Sequence, residues 1–356
     1  AFSIMTEQAM SYSKTILSLI FLGGLSACTP PPTESSETLT IYSARHYDSD
    51  QIIYQTFEQM HGVKVEVREA KADQLLETLK AEGDNSEADL VIASDAGALW
   101  RFSDAGLTQK VSAPEIVSQI PAAYHDPDGD WFSLSRRLRL VAFDPDMFQA
   151  SDLDTWGKLA DPAKSGEICV RSSSNIYNLS LMGEMIARVG PDEASEWAAG
   201  IVANMARQPQ GGDTDQIRAV AAGECGIAIA NHYYWARLAD SGVGADRAVA
   251  EATRLVVPGF GDDLGAHINI TGVAITKTAG NVDLALDFVS FLLSEEGQAL
   301  LVEETKELPL TSQISAEAAA GDTDNIASVE RSSVALSRFG ENQAEAQILF
   351  DLAGWN

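Results

Sequence analysis

LTIYSARHYDSDQIIYQTFEQMHGVKVEVREAKADQLLETLKAEGDNSEADLVIA, residues 39–93, passes twice from the period of a strand to that of a helix and back. Leu39 to Ser43 reads as a strand. Asp48 or Ser49 can cap a helix in which Ile52, Ile53, Phe57 and Met60 recur at helical spacing until Gly62 stops it. Val63, Val65 and Val67 then alternate with Lys64, Glu66 and Arg68, the pattern of a half-exposed strand. Asp73 is the expected cap of a second helix, carried by Leu75, Leu76 and Leu79 and ended by Gly83, and Asp89 to Ala93 gives a third strand. A β-α-β-α-β opening predicts an α/β protein built on a parallel, doubly wound sheet.

Beyond this unit, Trp131 to Phe143 reads as one long strand with Arg137 and Arg139 on one face and Leu138 and Leu140 on the other. It is long enough to pass between two lobes, and Thr253 to Val257 is a second extended run that can carry the chain back. Strand-loop-helix units follow at 167–189 and 225–240, separated by a helix from about Asp215 to Ala222 that Gly223 ends. The C-terminal part, rich in Ala, Glu and Ser, reads as helices closing over the rest. The expected organisation is two discontinuous lobes, 38–135 with 259–310 and 136–258 with 311–356, joined by two crossover strands around a cleft. No internal repeat or transmembrane helix is evident.

The 356 residues are 45% hydrophobic and 7% aromatic, an ordinary globular composition, with a formal net charge of −28. Such an acidic chain argues against nucleic acid, whose phosphates need a positive face, and most of that charge is simply a well-solvated surface. Residues 1–27 read as upstream residues and a signal peptide: Lys14 precedes the apolar run Ile16 to Leu25, too short for a bilayer span of ~20 residues. The run ends in Leu25-Ser26-Ala27-Cys28, which resembles a lipobox, so Cys28 is the expected lipidation site. Residues 28–37 have the Pro/Ser/Thr composition of a flexible tether. Export into an oxidising compartment leaves Cys169 and Cys225 as a pair that can form a disulfide or remain two small buried hydrophobes. Each precedes its downstream tyrosine loop by the same spacing, so on neighbouring strands their sulfurs would be roughly level.

The chemistry lies in three loops, His46-Tyr47, Asn175-Ile176-Tyr177 and His232-Tyr233-Tyr234, each expected between a strand and a helix. In open α/β sheets ligands are met at the carboxyl ends of strands, which is where these phenols fall. One such tyrosine is ordinarily a packing residue with a hydrogen-bonded hydroxyl. Four at equivalent corners suggest metal coordination. A phenol titrates near ~10, so each costs about 4 kcal/mol to ionise at neutral pH. Only a strongly acidic, hard cation such as Fe3+ offsets that for several phenols together. His46 is a possible fifth ligand, whereas His232 is expected to point away. Four phenolates on a trivalent ion leave an excess negative charge, and Arg137 and Arg237 are the expected cationic neighbours, with Arg45 a weaker one.

These loops, together with Arg171-Ser172-Ser173-Ser174 before the second, Lys71-Ala72-Asp73-Gln74, Trp131-Phe132-Ser133-Leu134, Gly265-Ala266-His267-Ile268 and Ala353-Gly354-Trp355, resemble the periplasmic ferric-iron-binding proteins of ABC importers, a bacterial transferrin-like family. The resemblance runs from Leu39 to the end. It implies a two-lobed type II periplasmic-binding-protein fold, no enzymatic activity, a monomer in the periplasm, and delivery of ferric iron to an inner-membrane permease. It implies Tyr47, Tyr177, Tyr233 and Tyr234 as ligands, with Arg137 and Arg237 near the site; His46 is a ligand in some members. No acidic residue stands at an obvious ligand position, which favours binding without an obligatory anion.

Rival readings are poorer. There is no Gly-x-Ser-x-Gly elbow, His-Glu-x-x-His or Walker loop to support an enzyme, and Asp126-Pro127-Asp128-Gly129-Asp130 lacks the terminal Glu of a calcium loop and reads as a polar turn. A protein of the same fold holding an anion or another small solute is the alternative; Ser172 to Asn175 before a helix can serve an anion, but the tyrosines would then have no role.

Overall fold

The computed structural model describes residues 37–45, 50–126, 128–261, 265–310 and 329–356. Cys28 with the signal-like run, and His46, Tyr47, Asp48 and Ser49, lie outside the described residues. In chain order the elements are β1 (Thr38–Ser43), α1 (Asp50–His61), β2 (Lys64–Glu69), α2 (Ala72–Glu82), β3 (Leu90–Ala93), α3 (Ala96–Asp104), α4 (Pro114–Val117), β4 (Phe132–Phe143), α5 (Trp156–Leu159), β5 (Ile168–Cys169) and α6 (Ile176–Ala203). There follow α7 (Asp213–Ala221), β6 (Ile227–Asn231), α8 (His232–Ala239), α9 (Gly244–Ala252), β7 (Arg254–Val256), β8 (Ile268–Ile275), α10 (Val282–Leu293), α11 (Glu295–Thr305), β9 (Leu308–Pro309), α12 (Ser337–Glu341) and α13 (Gln343–Ala353).

The strands run β2-β1-β3-β8-β4-β6-β5, with β7 and β9 also paired to β4. β1 is parallel to β2 and β3, as the opening pattern requires, and β2 forms the edge, its Lys64, Glu66 and Arg68 discouraging a further strand. β8 is antiparallel to β3 and β4, so the sheet is mixed.

β4 is the element that organises the rest. From Phe132 to Leu138 it pairs with β8, and from Arg139 to Phe143 with β6, while β7 lies against its last residues. The hydrophobic core changes along the same strand. Leu138 and Leu140 belong to a cluster drawn from β1, β3, β8, α1, α3 and α10, which also takes in Leu336 and Phe339. Val141 and Phe143 belong to a second cluster with Trp156, Met182, Trp197, Phe350 and Trp355.

Local expectations were met with corrections at the ends. Lys71, not Asp73, occupies the cap position of α2, because the backbone N–H of Lys71 is answered by the Gln74 side chain at 3.2 Å and Asp73 is already in the first turn. β5 has two residues rather than the full run from Glu167, and β6 starts at Ile227 rather than Cys225. The unit expected to stop at Val189 does so: Gly190 adopts φ +83°, Pro191 follows, and the helical path resumes beyond the kink. Asp126 accepts the backbone N–H groups of Asp128 and Asp130 at 3.1 and 3.0 Å, the polar turn read from the sequence.

Cys169 and Cys225 form a disulfide with Cα atoms 6.0 Å apart. They are not level on paired strands: Cys169 stands opposite Ala228, and Cys225 reaches back from the turn before β6.

Candidate metal centre

The two described tyrosine segments are not loops. Tyr177 is the second residue of α6, and Tyr233 and Tyr234 are the second and third of α8. β6 runs directly into the cap of α8, whereas the α6 cap Asn175 follows β5 after the short segment Val170 to Ser174. Asn175 accepts the N–H of Tyr177 at 3.1 Å, satisfying a donor at the helix start that has no intrahelical partner. β6 ends at Asn231, which stands in extended conformation at the cap position of α8. The phenols therefore start from rigid first turns at the carboxyl ends of β5 and β6.

They meet. The Tyr233 hydroxyl donates to that of Tyr177 at 3.1 Å, and the rings of Tyr233 and Tyr234 lie with centroids 4.4 Å apart. Tyr177 and Tyr233 are buried and Tyr234 is partly exposed. The Asn231 amide donates to the Tyr233 oxygen at 3.3 Å, leaving that oxygen between a donor and a second phenol.

Guanidiniums surround the pair. Arg137 has its Cζ 5.8 and 5.7 Å from the ring centres of Tyr177 and Tyr233, and Arg237 lies 5.2 Å from Tyr233. Arg139 and Arg171 approach Tyr177 to 5.9 and 5.8 Å. Arg137 and Arg237 are thus beside the tyrosines as the sequence suggested, whereas Arg139 and Arg171 were not singled out as site residues.

Two buried carboxylates answer this charge, and the sequence identified neither. Glu307, just after α11, accepts from Arg137 at 3.1 Å and from Arg45 at 3.3 Å, with Thr271 donating at 2.8 Å and Ser135 also in contact. Burial alone would raise its pKa; the Arg137 and Arg45 guanidiniums overcome that and hold it down at about 2. Arg45 is also tied to Asp50 by a pair of bonds at 2.8 and 2.9 Å. Asp213, the first residue of α7, takes Arg139 at 2.7 Å and Arg171 at 3.3 Å. The available clue was the strand period: Arg137 and Arg139 share a buried face of β4, and buried guanidiniums require carboxylates. Period alone does not say which acids answer.

His232 opens α8 buried, its Nδ1 accepting the Leu138 N–H at 3.2 Å, and burial lowers its pKa to about 3. A neutral imidazole used to bond β4 is a structural residue; its ring nevertheless stands edge-on to that of Tyr233, with centroids 5.7 Å apart, where the sequence had the two pointing apart. The far end of the chain contributes too: the buried Trp355 donates its indole N–H to the Arg171 carbonyl at 3.0 Å. Among the described residues no group of three or more His, Cys, Asp or Glu is placed to hold a metal ion. A metal here would be held chiefly by phenols.

The family of bacterial extracellular solute-binding proteins matches residues 53–327. This chain belongs to that family. Iron uptake protein A1 of Synechocystis sp. is 36% identical over 324 residues, 91% of this chain and 89% of that protein. Among solved structures, Trichodesmium IdiA (FutA) in complex with iron and citrate ligands superposes with a TM-score of 0.83 at 39% identity, over 90% of this chain and 100% of that one. A ferric binding protein from Campylobacter jejuni gives 0.83 at 35% identity, over 89% and 100%. The α/β fold, with a strand common to two cores, is that of the type II periplasmic binding proteins. The family consists of solute-binding transport proteins rather than enzymes, and its members work outside the cytoplasm.

Proposed function

We propose that this protein binds ferric iron in a cleft between two lobes and hands it to the permease of an ABC importer. The ligands are Tyr177, Tyr233 and Tyr234 from one lobe and Tyr47 from the other, with His46, water or an anion completing the coordination. The observation that carries the reading is the contact of the Tyr177 and Tyr233 hydroxyls, with Tyr234 alongside and guanidiniums of Arg137 and Arg237 against the rings. Two oxygens at hydrogen-bond distance cannot both ionise cheaply without a cation between or beside them, and a trivalent ion supplies that cation. The names of the relatives, iron uptake and ferric binding proteins, support the same cargo. The change of core along β4 supports two lobes but not the bounds 38–135 with 259–310 and 136–258 with 311–356: it falls between Leu140 and Val141, and Leu336 and Phe339 pack with the first core. Closing the lobes over the ion is a hinge motion of a familiar kind.

Because the phenols must lose protons to bind, affinity falls with pH; reducing the iron loosens it, since a divalent ion offsets less of the ionisation cost. The lipobox-like stretch Leu25 to Cys28 supports a mature chain tethered to a membrane through lipidated Cys28. Titrating the protein with ferric citrate should produce a visible phenolate-to-iron absorption, and Tyr233→Phe with Tyr234→Phe should abolish it while the fold persists. An unchanged band in that double variant contradicts the ligand assignment. Stabilisation by phosphate but not by ferric iron would transfer the site to the anion reading.

A further inference from the structure

Asp213 is fully buried and uses both carboxylate oxygens. Oδ2 accepts from Arg139 Nη1 at 2.7 Å and from the backbone N–H of Asn231 at 2.8 Å, and Oδ1 accepts from Arg171 Nη1 at 3.3 Å. Each of those three partners continues to a phenol. Asn231 is the cap residue of the helix bearing Tyr233 and Tyr234, and its amide donates to the Tyr233 oxygen at 3.3 Å. Arg139 and Arg171 both stand against the ring of Tyr177. Arg139 further donates to Asn178 at 2.6 Å, and the Asn178 amide in turn holds the carbonyls of Arg171 and Ser172, at 3.1 and 3.0 Å, in the segment leading into α6. The turn that delivers Asp213 runs through Gly211 at φ +66°, the left-handed region that favours glycine.

One carboxylate thus joins the starts of α6, α7 and α8 and the strand β4. We propose that Asp213 is a positioning residue of the phenol site: by holding Asn231, Arg139 and Arg171 together it fixes how Tyr177 and Tyr233 face one another and a shared ferric ion. The proposal rests on the reading that these phenols bind iron. It differs from simple compensation of a buried arginine, which would stabilise the fold without setting the geometry at the metal.

The test uses the whole protein titrated with ferric citrate, read by the phenolate-to-iron absorption and by competition with free citrate. Asp213→Asn keeps the shape and one acceptor but loses the charge. The expected result is ferric affinity lower by about 10- to 100-fold, the range for groups that orient metal ligands, with a displaced band. Wild-type affinity with an unmoved band would overturn the proposal, even if the metal-free variant melts lower. Should the Asn variant fail to fold, Arg171→Gln, at a partly exposed side chain, takes its place: a weaker site with a displaced band is expected, and wild-type affinity and band overturn the proposal. Wild-type protein that neither colours nor retains iron overturns the iron reading itself, and with it this inference; the two failures are told apart by the wild-type sample.

Discussion

At the scale of single residues, the centre combines groups that the sequence announced with groups it concealed. Tyr177, Tyr233 and Tyr234 were legible because an adjacent tyrosine pair at a strand end has little to gain from packing alone. Glu307 and Asp213 were not, because the chain holds 52 acidic residues and nothing local distinguishes a buried one from the many at the surface. Glu307 makes a testable contribution to acid stability. Its pKa is depressed from 4.5 to about 2 in the folded protein, so the folded state binds the proton less readily than the unfolded one. Its stabilisation is complete above the unfolded value and is lost as pH falls from about 4.5 towards 2, at up to about 1.4 kcal/mol per pH unit. Glu307→Gln should flatten that limb of a plot of melting temperature against pH. At pH 7 it should also cost about 3–5 kcal/mol by leaving Arg45 and Arg137 short of a counter-charge. An acid limb of unchanged slope would mean that other carboxylates control acid unfolding.

Among the elements, existence and type were readable and limits were not. The period-two pattern located β2, which turns one face to solvent, while β3 and β4, buried on both faces, were located by their apolar runs. The tyrosine segments were expected as loops because a strand followed closely by Tyr and Asn gives no sign that helix begins within a residue of the cap. Tertiary closeness was equally hidden. An added Cβ at Gly183 of α6 would come 2.9 Å from the Phe339 carbonyl oxygen of α12. At Gly340 it would come 2.8 Å from the Gly97 carbonyl oxygen of α3. These glycines let the short helix α12 wedge between α3 and α6. Gly183→Val should therefore lower stability by about 1–3 kcal/mol through overpacking, read as an earlier urea midpoint, although valine removes no contact. A midpoint at or above wild type would show that α12 can move aside without loss.

For the whole molecule, the split core was visible in outline from the long strand at Trp131 to Phe143, but the sheet, expected to be parallel, is mixed. The antiparallel insertion of β8 between β3 and β4 was not visible, since strand order depends on partners distant in sequence. The disulfide adds a constraint at this scale. Cys169 and Cys225 are separated by 56 positions, and restricting a loop of that size in the unfolded chain is worth about 4 kcal/mol on the chain-entropy account. Replacing both by serine should lower the melting temperature while leaving the ferric absorption in place at low temperature; loss of colour with an unaltered melting point would assign the bond to the site instead.

β4 contributes side chains to both interiors within a single run of extended backbone. A rotation of one half against the other must then be absorbed as torsion spread along that ribbon, which stores elastic energy as it turns. Severing the chain beyond Phe143 would strand one interior without its wall, so fragments expressed apart should be insoluble and recover structure only in each other's company.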